Sequence, residues 1–436
     1  MLFADIDYLT SDFEVKRGYV GTQGSHISYV GDVDPAEDPS LSSEDFGERY
    51  EGRGKLLMPG MYNTHAHMPM TLLRGYAEGL TLQDWLFNKV FPFEAKIDDA
   101  AAYPATLLAI AEMLRFGVVG VTDMYFFSDA RIQAIAESGI KANLCDGIMV
   151  FDQETAYEQT PNLKRNEQLV REHHNSLDGR LKIDLNIHSE YISNPQVVRA
   201  VGEHAVQLGV QTHVHISETA KEHQECKDRR GGLTPTQYFD SLGFFAAPCT
   251  AAHCVWSEPA DWQIYAERGV SVSSNPASNM KLASGFAPVG NMLAAGVNVC
   301  LGTDGVASNN SHNILKDLYL LALTSKGASG DPTVISPKQA LAMATVNGAR
   351  SQGRLDSGVI EVGKRADLVA LDICVPWMQP IHNLVNNLVY AAQGSDVVLT
   401  MVDGTVLYRN GAWLSMDIQK VTRDTKKAAA RIVASL

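Results

Sequence analysis

Two histidines, His65 and His67, close the stretch Pro59-Gly-Met-Tyr-Asn-Thr-His65-Ala-His67-Met-Pro69. Residues at i and i+2 share one face of an extended strand. Imidazoles held side by side at a strand's end suit one divalent transition metal. A His-x-His pair alone decides nothing, so the question is whether the chain supplies further ligands. Polar groups recur where other apolar runs stop: His188 after Leu181–Ile187, His215 with Glu218 beyond it, His253 after Cys249–Ala252, and Asp304 in Gly302-Thr-Asp304-Gly305. Each has a plainer explanation by itself. His188 or His253 could be a hydrogen-bonded core histidine, Asp304 a turn aspartate, and Glu218 an acid at a helix start. Their joint placement at the ends of strand-like runs favours one shared site over coincidence.

Three imidazoles and a carboxylate leave a coordination position for water on a four- or five-coordinate Zn²⁺ or Fe²⁺. Such an ion lowers the pKa of water from about 16 toward about 7. A carboxylate beside it, the place expected for Glu218, could carry a proton to a leaving group. His253 could orient the water or stabilise charge at the attacked carbon. The chemistry is hydrolytic attack on an electron-poor sp² carbon.

The elements that would position these groups alternate along the chain. Strand-like runs at Gly117–Asp123, Lys141–Cys145, Leu181–Ile187, Val210–His215, Cys249–His253, Val270–Ser273 and Val297–Gly302 join the one before His65, with helix-patterned stretches between. Eight βα units in roughly 300 residues predict a (β/α)8 barrel, whose functional groups gather at the C-terminal ends of its strands. The alternative, a doubly wound sheet, lacks a Gly-x-Gly-x-x-Gly or Walker loop to support it. Both chain ends read as β structure: Tyr19–Gly21 and His26–Asp32, then Gly358–Gly363, Ala366–Asp372, and a hairpin over Val397–Tyr408 turning at Asp403-Gly404. The expected domains are residues 1–57 and 357–436, together one small β-sandwich with a C-terminal surface helix from Asp417, and the barrel over 58–356. Residues from Asp34 to Glu51 form a polar, acidic, serine-rich stretch.

Composition narrows the partners. The 436 residues carry 36 Lys+Arg against 50 Asp+Glu, a net charge of −14. That argues against a nucleic-acid backbone or an anionic membrane surface. No apolar stretch approaches the roughly 20 residues that span a bilayer, and the N-terminus has no basic leader pattern. Six scattered cysteines without a Cys-x-x-Cys read as free thiols in a reducing compartment, so the cytoplasm is expected. His188-Ser-Glu190 has the His-x-Glu form of cytidine-type zinc deaminases, but Pro248-Cys249 meets its next cysteine only at Cys254. His213 shares a strand face with His215 and reads as a packed residue behind the ligands. His173, His174, His204, His223, His312 and His382 read as surface or packing residues.

The combination of His65-x-His67, His215 with Glu218, His253, and Gly302-Thr-Asp304-Gly-Val-Ala-Ser308-Asn-Asn resembles the amidohydrolase superfamily. Within it the chain is similar to the branch of 5-methylthioadenosine/S-adenosylhomocysteine deaminases, guanine and cytosine deaminases and triazine hydrolases. The resemblance runs over nearly the whole chain, including Ala344-Thr-Val-Asn-Gly-Ala349. It implies a distorted (β/α)8 barrel and one metal ion, zinc with iron as the alternative, held by His65, His67, His215 and Asp304. It also implies that Glu218 binds the substrate ring and moves protons, with His253 and Asp304 beside the water. His188 stands where binuclear members place a carboxylated lysine, which favours a single metal, and retention of Glu218 favours deamination over dechlorination.

Pro69–Gly75 and Leu82-Gln-Asp-Trp85-Leu-Phe-Asn-Lys-Val-Phe-Pro92-Phe-Glu94 resemble the loop after the first strand in the methylthioadenosine/S-adenosylhomocysteine deaminases. There the resemblance implies that Glu94 holds a ribose diol, Trp85 lines the pocket, and His188 and Ser308 lie among the substrate contacts. Without the resemblance, Trp85 and Glu94 would read as the packed and solvated faces of an amphipathic helix. Two departures concern the 5′ substituent: no arginine aligns after the third strand to hold an amino-acid carboxylate, Arg165 being out of register, and His188-Ser-Glu190-Tyr replaces the usual His-Ser-Pro-Tyr. The expected substrate is a small adenosine-type nucleoside, deaminated to the inosine analogue. The rival readings are a hydrolase of a free base (guanine, an oxidised purine, a pyrimidine or a triazine) and a non-catalytic assembly protein on the same fold. Members of the branch often form homo-oligomers.

Overall fold

Apolar runs covered on both faces become parallel strands, and the central runs do so in chain order. They are β6 (Met61–Ala66), β7 (Val118–Tyr125), β8 (Lys141–Asp146), β9 (Leu181–Ile183), β10 (Leu185–Asn186), β11 (Thr212–Ile216), β12 (Cys249–His253), β13 (Ser271–Ser274) and β14 (Asn298–Leu301). The computed structural model describes residues 1–38, 45–152, 155 and 159–436, so residues 39–44 of the serine-rich tract lie outside the described residues.

Two parallel sheets result, β6-β7-β8-β9 and β10-β11-β12-β13-β14. β9 and β10 are halves of one strand that changes neighbours at the buried Asp184: Ile183 pairs with Leu144 of β8, and Leu185 with Thr212 of β11. Counting them once gives eight strands. The ring closes from β14 to β6 through the segment after the last strand: the Thr303 N–H donates to Asn63 Oδ1 at 3.0 Å, and the Asp304 N–H to the His65 carbonyl at 2.9 Å. Gly302 permits that approach, since a Cβ there would lie 2.9 Å from the His65 nitrogen and 2.4 Å from Asn275 Oδ1. The architecture is a distorted (β/α)8 barrel.

The chain ends share one sheet. Its strands are β1 (Leu2–Leu9), β2 (Val15–Gln23), β3 (His26–Gly31), β4 (Arg49–Glu51), β5 (Lys55–Pro59), β15 (Leu368–Asp372), β16 (Val397–Val402), β17 (Thr405–Arg409) and β18 (Ala412–Trp413). Their order is β18-β17-β16-β15-β5-β1-β2-β3, with β4 on β1. The sheet folds back on itself: Ile27 of β3 exchanges hydrogen bonds with Gly363 and Lys364, each at 2.8 Å. Phe3, Ile6, Val20, Ile27, Leu57, Leu368 and Met401 fill the space enclosed. The stretch Gly358–Gly363 is not the strand its alternating pattern predicts, because both glycines sit at φ +87° and break the extended backbone. Its Ile360 still packs into that core. The helix Ile418–Val433, capped by Asp417, buries Val421, Thr425, Ala428 and Ile432. Among the described residues, five cysteines are buried thiols and Cys374 is exposed, and no helix is long and apolar enough to cross a membrane.

Candidate active site

The C-terminal strand ends converge on one cluster of imidazoles and carboxylates. At the end of β6, His67 Nε2 lies 3.1 Å from Asp304 Oδ1 and 3.4 Å from His215 Nε2 at the end of β11. His65 Nε2 is 3.4 Å from the same Asp304 oxygen. Each imidazole's other nitrogen is already engaged. His67 Nδ1–H donates to the Met124 carbonyl at 2.5 Å, and His215 Nδ1–H to the His188 carbonyl at 2.7 Å. Carbonyls only accept, so both rings turn Nε2 to the cluster. His65 Nδ1 lies 2.8 Å from His213 Nε2, which puts His213 behind a candidate ligand, as its strand register predicts.

The donor atoms of His65, His67 and His215 fall within 4.8 Å of one another, as do those of His65, His253 and Asp304. Among the described residues His65 Nε2 is buried with no hydrogen-bond partner, a cost that a cation beside it would remove. Three neutral nitrogens and one carboxylate oxygen fit a divalent transition ion. Burial, reinforced by neighbouring imidazoles, keeps His215 well below the ordinary imidazole range, and burial brings His65 to about 4. Burial also pulls on His67, but Asp304 outweighs it and lifts that ring to about 9. Without a cation the ring therefore holds a proton on Nε2, and an ion entering the cluster would displace it to take the lone pair. Asp304 itself is held well below the carboxylate range: burial opposes ionisation, and the two imidazoles overcome it.

Asp304 is fixed from three sides. Its Oδ2 accepts from Ser278 Oγ at 2.6 Å and Ser308 Oγ at 3.1 Å, and its Oδ1 from the Gly305 N–H at 2.8 Å. His253, at φ +73°, lies 2.8 Å through Nδ1 from Asn279 Oδ1. Its Nε2 is 3.8 Å from Glu218 Oε2. Burial works against its charge, yet Glu218 and Asp304 raise its pKa. Burial likewise raises Glu218, leaving it readier to hold a proton. An acid that protonates easily, beside a stabilised imidazolium and a cation site, can both activate water and protonate a leaving group.

One cleft of about 690 Å³ opens over the cluster. His67, Trp85, Glu94, His188, His215, Glu218, His253, Asp304 and Ser308 all line it, and His65 lies beneath, fully buried. Trp85 and Glu94 are therefore not the packed and solvated faces of one helix. Burial raises Glu94 to about 7, with Tyr125 and His67 opposing. Glu190 is not in the cleft; fully buried, it pairs with Arg229 at 2.5 Å and Arg230 at 2.7 Å. Arg165 pairs with Asp129 and does not line the cleft. Asn275, Ser278 and Asn279, just past β13, escaped the sequence reading because that run ends in serine and asparagine rather than in an ionisable group. The clue was a dense polar run, Ser273-Ser-Asn275-Pro-Ala-Ser278-Asn279, at a barrel strand's end.

Residues 56–407 match the model of the amidohydrolase family. The chain belongs to the amidohydrolase family. This amidohydrolase is 38% identical over 433 residues to a 5-methylthioadenosine/S-adenosylhomocysteine deaminase of Dictyoglomus thermophilum, covering 99% of each chain. It is 38% identical over 421 residues to a 5′-deoxyadenosine deaminase of Methanosarcina acetivorans, covering 97% of this chain and 95% of that one. Among solved structures, an adenosine deaminase from Xanthomonas campestris with bound zinc superposes with a TM-score of 0.90 at 31% identity, covering 99% of this chain and 98% of that one.

Proposed function

We propose that this amidohydrolase hydrolytically deaminates adenosine-type nucleosides, converting substrate and water into the inosine analogue and ammonia. The observation that carries this is the placing of two acids of different environment, half-buried Glu94 and buried Glu218, on one cleft above the histidine cluster. The deaminase names of relatives 38% identical over nearly full length support it. His65, His67, His215 and Asp304 would hold one divalent ion, zinc first and iron as the alternative. Such an ion would supply a Lewis acid that lets water react as a nucleophile near neutral pH.

The chain's own groups account for the rest. Glu94, as a carboxylate, accepts both hydroxyls of a ribose diol, and the indole of Trp85 offers a flat apolar face to the nucleoside. Addition of water at C6 pushes electron density onto N1, where Glu218 delivers a proton. His253, steadied by Asn279, orients the water, and Asp304 accepts a hydrogen bond from it. Collapse at C6 then expels ammonia, with Glu218 carrying the second proton. Among the described residues the cleft lining includes no lysine or arginine, and a buried amino-acid carboxylate needs a cationic partner. Substrates with an uncharged 5′ group, such as 5′-deoxyadenosine, 5′-methylthioadenosine or adenosine, are favoured over S-adenosylhomocysteine.

The test is ammonia release by metal-loaded protein from those four nucleosides and from guanine, cytosine and melamine. Turnover is expected for the nucleosides, with S-adenosylhomocysteine roughly a hundredfold lower in kcat/KM, the cost of an unpaired buried charge. Turnover of a free base alone, or of nothing, overturns the nucleoside reading.

A further inference from the structure

β11 delivers His215 to the cluster, and two residues later the backbone turns sharply to deliver Glu218. The turn is made at Ser217, whose φ of +50° is a conformation that non-glycine residues hold only where the surroundings enforce it. The enforcement comes from the next helix, Ala220–Arg229. Thr219 caps it conventionally, its Oγ1 accepting the Glu222 N–H at 3.1 Å. In an ordinary capping box the third helical residue returns its carboxylate to the cap residue's own N–H. Here Glu222 reaches further back: Oε1 accepts the Ser217 N–H at 3.1 Å and Oε2 the Glu218 N–H at 2.8 Å.

Neighbouring contacts brace the same turn. His223 Nδ1 lies 3.1 Å from Ser217 Oγ, and its Nε2 lies 3.1 Å from Glu258 Oε1. The Ser217 carbonyl accepts the Trp256 N–H at 3.0 Å. The far end of the helix is fixed independently, through Arg229 and Arg230 on the buried Glu190. The helix is thus pinned at both ends, and its buried Glu222 grips the backbone on which Glu218 rides.

We propose that Glu222 is the positioning residue of the site: by accepting two successive backbone N–H groups it holds Ser217 in its left-handed turn and aims Glu218 at the substrate. The role assumed for Glu218 rests on the function proposed above. Glu222→Gln keeps shape and burial but has one acceptor oxygen and sets an NH₂ against the second donor. Glu222→Ala removes both acceptors. A displacement of about 1 Å in a catalytic group costs on the order of a hundredfold in rate, so kcat is expected to fall about tenfold in the glutamine variant and about a hundredfold in the alanine variant. KM is expected to stay within about threefold, and zinc per chain to match wild type, since no ligand is touched.

Thr219→Ala removes the cap alone; it should lower the melting temperature and leave kcat within about twofold. Crystal structures of the Glu222 variants supply a readout that needs no substrate, with Ser217 expected to leave its positive φ and the Glu218 carboxyl to shift. The proposal is overturned if kcat of Glu222→Gln and Glu222→Ala stays within about twofold of wild type. It is equally overturned if lost activity tracks lost zinc, or if Glu218 keeps its place in the variant crystals. Should wild type deaminate no nucleoside, the function proposed above falls while those crystals still decide what Glu222 does.

Discussion

What a residue does in this site depends on which of its atoms the fold has already committed. His67 and His215 have each surrendered Nδ1 to a backbone carbonyl, so their usefulness lies wholly in Nε2. Glu94 shows the same logic for a proton. Burial raises it to about 7, and only its ionised form can accept both hydroxyls of a diol. As pH falls through that pKa the carboxyl takes a proton and one acceptor becomes a donor, so binding of ribosylated substrates should weaken on the acid side. With a divalent ion held at the histidine cluster the limb would lie at or below about pH 7, because such a charge pulls a nearby carboxylate down. Well below it, KM for 5′-deoxyadenosine is expected to rise about tenfold per pH unit while kcat changes less. Glu94→Gln should start with a raised KM and lose that limb. Initial-rate kinetics from pH 5 to 9 on both proteins check this; an identical acid limb in the variant would assign it to another group.

At the scale of elements, the segment after β6 shows why spacing alone misled. Trp85 and Glu94 are nine residues apart, and at about 100° per residue a regular helix would set them on opposite faces. The segment is instead a short helix Leu82–Trp85, a π turn Leu86–Val90 and a short helix Phe91–Glu94. The Phe91 N–H bonds the Leu86 carbonyl, an i→i−5 closure that absorbs one residue ahead of Pro92, which has no N–H to give. Both side chains then reach the cleft. The barrel strands were legible because an apolar run that stops at a histidine or an acid marks both a strand and its functional end. The π turn, the break at Asp184 and the asparagines after β13 were not, because each depends on a backbone irregularity or a neutral side chain that no periodicity announces. Deleting the exposed Asn88 removes the extra residue and should restore regular winding. KM for nucleosides is then expected to rise at least about tenfold, with zinc content and melting temperature near wild type. Unchanged KM would mean that the π turn has no part in presenting Glu94.

On the scale of the molecule, the site sits at one end of the barrel and the two halves of the chain are tied together at the other. Lys141, first residue of β8, lies 2.5 Å from Asp367 Oδ2 and 2.8 Å from Asp403 Oδ1. Tyr62 of β6 donates to Asp367 at 2.9 Å, and the Asp403 N–H donates to Asp367 Oδ1 at 3.0 Å. Asp367 and Asp403 belong to the terminal sheet, so one ammonium joins barrel to sheet with almost no access to water. Burial works against the Asp367 charge, but Lys141 overcomes it and lowers the carboxyl's pKa. Its stabilising contribution is therefore present above the unfolded value of about 3.9 and is lost only as pH falls through the lower folded value. Lys141→Ala leaves Asp367 buried without its cation, a loss of about 3–5 kcal/mol when one partner of a buried pair is removed. A lower urea midpoint and melting temperature at pH 7 are expected, with the Asp367 contribution to that difference fading only as pH falls below about 3.9 and through the lower folded value. At temperatures where the variant stays folded, kcat and KM should equal wild type, because the strand ends that carry the histidines are not disturbed. Equal stability would show that water reaches this pair; altered kinetics in the folded variant would show that barrel and sheet are coupled through the length of β8, so that the foundation of the barrel sets the geometry of its mouth.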